Sequence, residues 1–182
     1  MSLILPTPVV HSDARLFHTL PPEQAVELLR QRGIQFPLIV YMQSVEETTY
    51  EGKPFNSRIC IENNNYFGMK CSERRGICDG VNRDHAAYYT YDRSLEDYKL
   101  WQVERIKGHS RVFFEVLDGA AYLHLLENGV FYTSPDRYYT ARYAENPHYI
   151  RNLKRKFASY RKKGLFTDGF LFLIGYQGEL DL

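Results

Sequence analysis

Apolar positions recur at helical spacing along most of the chain. Pro21-Pro22-Glu23 opens the first periodic segment, with proline in the first turn and an acidic residue near the positive end of the dipole. Its stripe is Ala25, Val26, Leu28 and Leu29, and Gly33 ends it. Pro37 opens a second helix, Leu38 to about Thr48, with Leu38, Ile39, Tyr41, Met42 and Val45 as apolar positions. It is more apolar than the first and is expected in the core. Residues 49–56 (TYEGKPFN) read as a polar loop. Ser57 is expected to cap a short helix, Arg58 to Glu62, which Asn63-Asn64-Asn65 breaks.

From Tyr66 to Tyr91 the pattern turns irregular, with turn residues Gly76, Asp79-Gly80 and Asn82. A small hairpin lobe inserted between helices fits this stretch. Asp92 or Ser94 is expected to cap a helix through about Ile106, and further helices are expected at 111–127, 134–144 and 147–163. Residues 1–20 read as an extended N-terminal arm, 21–163 as the domain, and 164–182 as a β-hairpin or extended tail. The expected fold class is therefore mainly α (α+β), a helical core with a small β-hairpin lobe. A cleft between core and lobe is the natural place for a ligand.

Composition narrows the classes. At 182 residues, 44% hydrophobic and 25% charged, the chain suits one globular domain with a real core, and disorder and collagen-like classes are excluded. The net charge of +1 argues against a strongly basic nucleic-acid binder. The 15 Tyr suit either a surface that stacks on flat ligands such as sugars or a core with wet edges. No apolar stretch approaches ~20 residues, so no membrane span is expected. The N-terminal segment has no basic n-region, and no secretory signal is expected. Cys60, Cys71 and Cys78 are an odd set. Cys71 and Cys78 are near enough to pair across a hairpin, but free thiols are the expectation. The histidines are scattered without zinc spacing, so neither a structural metal nor a cofactor is expected.

Three segments carry candidate chemistry. Gln43-Ser-Val-Glu46-Glu47-Thr48 ends the apolar helix in carboxylates. A carboxylate at a cleft wall is desolvated, keeps its proton near neutral pH and can act as a general acid, although such a pair is more commonly a solvated helix end. Glu62-Asn63-Asn64-Asn65-Tyr66-Phe67-Gly68-Met69-Lys70 is a poor helix and a poor strand. It is either a turn that holds the lobe or a polar floor for sugar hydroxyls. The third segment is Asn82-Arg-Asp84-His85-Ala-Ala-Tyr88-Tyr89-Thr-Tyr91, an aromatic stretch running into a helix up to Gln102.

Together these segments resemble the glucosaminidase domains that cleave bacterial peptidoglycan, in the lysozyme-like superfamily. The matching pieces are Gln43 to Thr48, Ser57-Arg-Ile59, Asn64-Asn65-Tyr66-Phe67-Gly68-Met69-Lys70, His85 to Gln102, and Tyr143-Ala-Glu-Asn-Pro147-His-Tyr149-Ile-Arg-Asn-Leu153. The resemblance runs from about residue 22 to 163, and its motifs keep the family's order. It implies a glycoside hydrolase that cuts between N-acetylglucosamine and N-acetylmuramic acid. Glu47 takes the place of the general acid, with Glu46 as the fallback. Glu73, Asp79 and Asp84 are candidates for a second group, and the substrate's acetamido group is a third route. Tyr143 is a candidate to line the site and position that group or a water.

Asn64 and Asn65 are expected in the sugar floor, and Tyr88 and Tyr91 as sugar-stacking rings. Phe67 and Trp101 are expected in the core, and His85 is given no proton-transfer role. The basic helix 151–163 reads as a solvated face that can attract anionic wall polymers. Two departures stand out. Thr49 occupies a place where the family usually has Gly, and some four extra residues lie between the acid and Ser57. Two readings follow: a wall hydrolase, carried to the bacterial cell wall in a phage tail or injection machine through its termini, or a non-catalytic glucosaminidase-like part of a larger assembly.

Overall fold

A computed structural model of the chain describes residues 14–113, 118–129, 131–134, 137–140, 143 and 146–182. The helix α1 (Pro22–Gln31) packs on α2 (Pro37–Thr48), and α2 packs in turn on α6 (Tyr149–Lys162). Residues Leu38 to Val45 of α2 are all buried, as expected of a helix that is apolar nearly all round. The core around it gathers Phe17, Leu29, Ile39, Met42, Tyr66, Phe67, Tyr98, Leu126, Leu153 and Phe157. The short helix α3 (Arg58–Asn63) begins where the sequence places it, with the Ser57 hydroxyl accepting from the Cys60 N–H at 3.2 Å. Asn64, left-handed at φ 51°, ends it.

The lobe follows. Strands β1 (Gly80–Asn82) and β2 (His85–Ala87) pair antiparallel, with Val81 opposite Ala86. Arg83 and Asp84 form the turn, both at positive φ, which is the two-residue hairpin geometry whose twist matches the strands. Mainly α with a small hairpin is thus the fold.

Several local expectations need correction. The helix after the lobe, α4 (Tyr91–Phe113), starts at Tyr91 and runs well past Ile106. The Ser94 hydroxyl does not cap it but accepts from the Tyr66 backbone N–H. The helix expected at 111–127 is divided between the end of α4 and α5 (Gly119–Asn128), whose N-terminus Asp118 caps. No helix forms in the described part of 134–144. Strand β3 (Phe131–Ser134) pairs there with β4 (Arg137–Thr140). Phe-Tyr-Thr and Tyr-Tyr-Thr are aromatic and β-branched runs that favour strands, and Pro135 keeps the preceding Ser134 out of the helical region.

The tail is not a hairpin. It contains a helix, α7 (Asp168–Leu173), capped by the Thr167 hydroxyl, which accepts from the Phe170 N–H. A short apolar run does not distinguish strand from helix by periodicity, and here the Thr167-Asp168 cap decides. Phe166, Leu171 and Leu180 are buried, and Glu23 of α1 accepts from both the N–H and the hydroxyl of Thr167. The expected N-terminal arm is a 3-10 helix over Ala14–Thr19, with Phe17 fully buried; residues 1–13 lie outside the described ones.

Cys71 and Cys78 are joined in a disulfide with Cα atoms 5.6 Å apart, against the expectation of free thiols. The turn in which Arg75 and Gly76 donate to the Ser72 carbonyl brings them together. Cys60 is free and buried. Among the described residues no helix is long and apolar enough to cross a membrane.

Candidate active site

The two carboxylates at the end of α2 have different surroundings. Glu46 is tied to α6: Lys156 Nζ lies 2.8 Å from its Oε2, and Asn152 Nδ2 donates to its Oε1 at 3.1 Å. Among the described residues Glu47 has no ion pair of this kind. Its carboxylate lies over Gly68 of the lobe, where an added Cβ would stand 2.9 Å from Glu47 Oε2. Gly68 also sits at φ +60°. This position therefore needs glycine twice, for its backbone and for the acid above it. Burial pushes the Glu47 carboxyl up to about 7. The Tyr149 hydroxyl opposes that rise, the Glu46 charge adds to it, and Lys156 opposes it. A carboxyl in this condition exchanges its proton near neutral pH.

The asparagine run shapes the floor beneath Glu47. Asn65 is fully buried, and its amide is spent on backbone. Its Oδ1 accepts from the N–H groups of Phe67 and Met69 at 3.2 and 3.1 Å, and its Nδ2 donates to the carbonyls of Met69 and Ala86 at 3.0 and 2.9 Å. Asn64 Nδ2 donates to the Tyr88 carbonyl at 2.7 Å. Asn63 and Asn82 exchange bonds between the floor and β1. The Asn64 and Asn65 amides thus hold the lobe together, and no donor of Asn65 is left for a sugar hydroxyl.

The aromatic expectations also change. Tyr88 is 3% exposed, and its hydroxyl donates to Asp97 Oδ2 at 2.6 Å, so its ring cannot stack on a sugar. Tyr91 stacks on Tyr66 at 4.5 Å between ring centres and lies beside His18. Tyr89 is the exposed ring, at 81%. The strand period would have found it, since Ala86 and Tyr88 share the inward face and Tyr89 falls on the other. Phe67 and Trp101 are buried, as expected.

Tyr143 is near Glu47. Its ring lies 5.0 Å from Trp101 and 5.7 Å from Tyr149, and the Glu47 charge helps hold its hydroxyl un-ionised. That hydroxyl donates to the Phe67 carbonyl at 2.6 Å, tying Tyr143 to the floor. Tyr149, at the start of α6, stands next to Glu47 and to Gln43, one turn back on α2; neither was given a role from sequence. The i, i+4 spacing of Gln43 and Glu47 was the available signal.

The other carboxylates are placed differently. Asp79 accepts from Arg93 Nε at 2.7 Å and from the Tyr89 N–H at 2.8 Å. Asp84 pairs with Lys70 on the exposed hairpin turn, and Glu73 is exposed. His85 bonds the Arg83 carbonyl. Among the described residues no group of His, Cys, Asp and Glu is arranged to hold a metal ion. Two cavities, about 640 and 590 Å³, lie elsewhere, one at Phe157, Phe166 and Leu180 and the other between Phe36, Asp118 and Tyr176.

Thr49 does not strain the site. Its φ of −71° and ψ of 124° are extended backbone that any residue adopts. Its hydroxyl bonds the Val45 carbonyl and accepts from Lys156 at 2.9 Å. The extra loop residues fold back on α2: the Asn56 and Ser57 N–H groups both donate to the Thr48 carbonyl at 2.9 Å. Phe55 packs against Phe17, Tyr41 and Tyr66 in the core.

Neither a curated protein nor a solved structure matches the chain. The family model described as glucosaminidase, mannosyl-glycoprotein endo-beta-N-acetylglucosaminidase, matches residues 22–162. That stretch contains Glu46 and Glu47 at the end of α2, Gly68, the asparagine floor, Tyr143 and Tyr149. The chain therefore belongs to the glucosaminidase family, and its class is that of a peptidoglycan-degrading glycoside hydrolase.

Proposed function

We propose that the protein cleaves the β-1,4 bond between N-acetylglucosamine and N-acetylmuramic acid in peptidoglycan, with Glu47 as the general acid. The observation that carries this reading is the Glu47 carboxyl, held over Gly68 and raised to about 7 by burial. Glu47 gives its proton to the glycosidic oxygen as the C1–O bond breaks, and the muramic acid residue leaves as the alcohol. The acetamido oxygen of the N-acetylglucosamine closes on C1 and takes up the developing positive charge. Glu47, now a carboxylate, takes a proton from the water that opens this ring, and an N-acetylglucosamine reducing end results. The acetamido route is preferred over a second carboxylate because Asp79 and Asp84 are engaged by Arg93 and Lys70, and Glu73 is exposed in the turn between Cys71 and Cys78. Tyr143 lines the site and, through its bond to the Phe67 carbonyl, keeps the floor in register with the acid.

The alternative reading, a non-catalytic assembly part, drew on Thr49 and the inserted loop. Thr49 has unstrained backbone, and the loop is anchored through Phe55 to the core, so neither feature favours it. The test is digestion of purified peptidoglycan by the wild type and by Glu47→Gln, with reducing ends identified by mass spectrometry. The wild type is expected to release N-acetylglucosamine ends, and the variant to be slower by about 10²–10⁴-fold. Muramic acid ends would overturn the bond assignment. Equal rates in the two proteins would overturn the acid.

A further inference from the structure

A line of buried polar side chains crosses the core and stops beside Glu47. It begins at Gln102, whose Oε1 accepts from the Gln35 N–H at 2.8 Å and whose Nε2 donates to the Gln35 carbonyl at 2.7 Å. The same Nε2 donates to Tyr122 Oη at 3.0 Å. The Tyr122 and Tyr98 hydroxyls are 2.7 Å apart, and Tyr98 donates to Gln43 Oε1 at 2.5 Å. Gln102, Tyr122, Tyr98 and Gln43 are all buried. The last two polar atoms, Gln43 Nε2 and Tyr149 Oη, are buried and have no hydrogen-bond partner among the described residues. The Tyr149 hydroxyl nevertheless lies next to both the Gln43 amide and the Glu47 carboxyl.

One proton order satisfies every bonded group in this line. The Gln35 backbone reads both ends of the Gln102 amide, so Gln102 cannot flip without losing two bonds. Gln102 therefore donates to Tyr122, Tyr122 spends its proton on Tyr98, and Tyr98 spends its own on Gln43 Oε1. Gln43 Nε2, which can only donate, is left facing Tyr149. The Tyr149 oxygen is then the acceptor for that amide, and its proton is free for Glu47.

We propose that this relay, from Gln35 to Tyr149, fixes the Tyr149 hydroxyl as a donor to Glu47 and makes Tyr149 a positioning residue of the acid. Its role in turnover rests on the reading of Glu47 as the acid; its effect on the carboxyl's titration does not. The charged groups facing Glu47 are Glu46 on its own helix and Lys156 on α6, which are paired with each other, and the un-ionised hydroxyls of Tyr143 and Tyr149 also lie close. Burial holds the Tyr149 hydroxyl well above the usual tyrosine range, so it remains a neutral donor at working pH. Such a donor favours the carboxylate, which lets Glu47 give up its proton despite its burial.

The test is a carboxyl ¹³C NMR titration of Glu47 in the full chain, alongside the pH dependence of kcat on peptidoglycan. Tyr149→Phe is expected to raise the Glu47 midpoint by about one unit. Tyr98→Phe, which does not touch Glu47, is expected to raise it by a smaller amount in the same direction. Tyr41→Phe, a buried α2 tyrosine outside the relay, is expected to leave it in place. The kcat profile moves with the midpoint while KM stays within about twofold. An unchanged midpoint in Tyr149→Phe overturns the proposal, as does a shift in Tyr149→Phe with none in Tyr98→Phe. If Tyr98→Phe does not fold, Tyr122→Phe probes the same relay one bond further back. Should Glu47→Gln retain full activity while these midpoints shift, the acid assignment fails and the relay stands.

Discussion

The end of α2 and the floor of the lobe meet at Glu47 and Gly68, and they keep their shapes by different means. The helix end is held by side chains that reach across elements: Lys156 and Asn152 on Glu46, Lys156 again on Thr49, and the tyrosine–glutamine line behind Gln43. The floor is held by asparagine amides that bond backbone, and by a glycine that presents no side chain at all. One region arranges charge and protons, and the other arranges shape. Substitutions in the floor are therefore expected to act first on stability or geometry, and those at the helix end on proton affinity.

The largest effect is expected at Asn65. Asn65→Ala removes four buried bonds and leaves backbone groups of Phe67, Met69 and Ala86 unsatisfied, a loss of about 3–4 kcal/mol in urea unfolding. A loss under about 1 kcal/mol would show that the floor holds its shape without that amide. Gly68→Ala comes next. It forces a side chain into a left-handed position and against the Glu47 carboxylate. A fall in kcat of about 100-fold is expected, from displacement of the acid. Activity near wild type would mean that Glu47 does not work from its place over Gly68.

A third prediction concerns pH. The folded Glu47 carboxyl titrates at about 7, against 4.5 for the unreacted group, so between these values the folded protein binds more protons than the unfolded chain. Its contribution to stability is fully present below about 4.5 and is lost as pH rises through about 7. Glu47→Gln, which cannot ionise, is expected to be more stable than wild type by about 2 kcal/mol at pH 8, with the gap closing toward pH 5. Denaturant midpoints across this range test it, and a gap that does not depend on pH breaks the comparison. The smallest effect is expected for Thr49→Gly. Its backbone is already extended, so kcat should change by less than about twofold, and stability should fall by about 1 kcal/mol from chain entropy and the lost hydroxyl bonds. A gain of tenfold in activity would show that Thr49 restrains the acid after all.

The helices α1, α2 and α3 were legible because proline openings, apolar periodicity and the Ser57 cap all agree. The two-strand lobe was legible from its turn residues. The tail was not, because Gly169 to Gly175 is apolar throughout and its helix depends on a cap at Thr167 and on burial of Leu171. The strands β3 and β4 were missed because a helix was expected over 134–144, although their aromatic and β-branched residues favour strands. Glu47 was legible through the resemblance of Gln43 to Thr48 to the glucosaminidase motif, not from its spacing alone. That Glu46 is the bound carboxylate required α6, which lies more than a hundred residues along the chain. Tyr88 was expected to stack on a sugar, and only the packing of α4 shows its hydroxyl turned inward onto Asp97.

The sequence by itself determined the order of the first three helices, the place of the lobe and the pair of carboxylates that ends α2. These depend on local chemistry, namely where proline and glycine are tolerated, which residues cap, and how apolar positions repeat. Only the tertiary structure decided which carboxylate is paired with Lys156, and which proton order satisfies the side chains behind Glu47. Desolvation and hydrogen-bond direction belong to an environment assembled from α2, α4, α5, α6 and the lobe, and no stretch of sequence contains that environment.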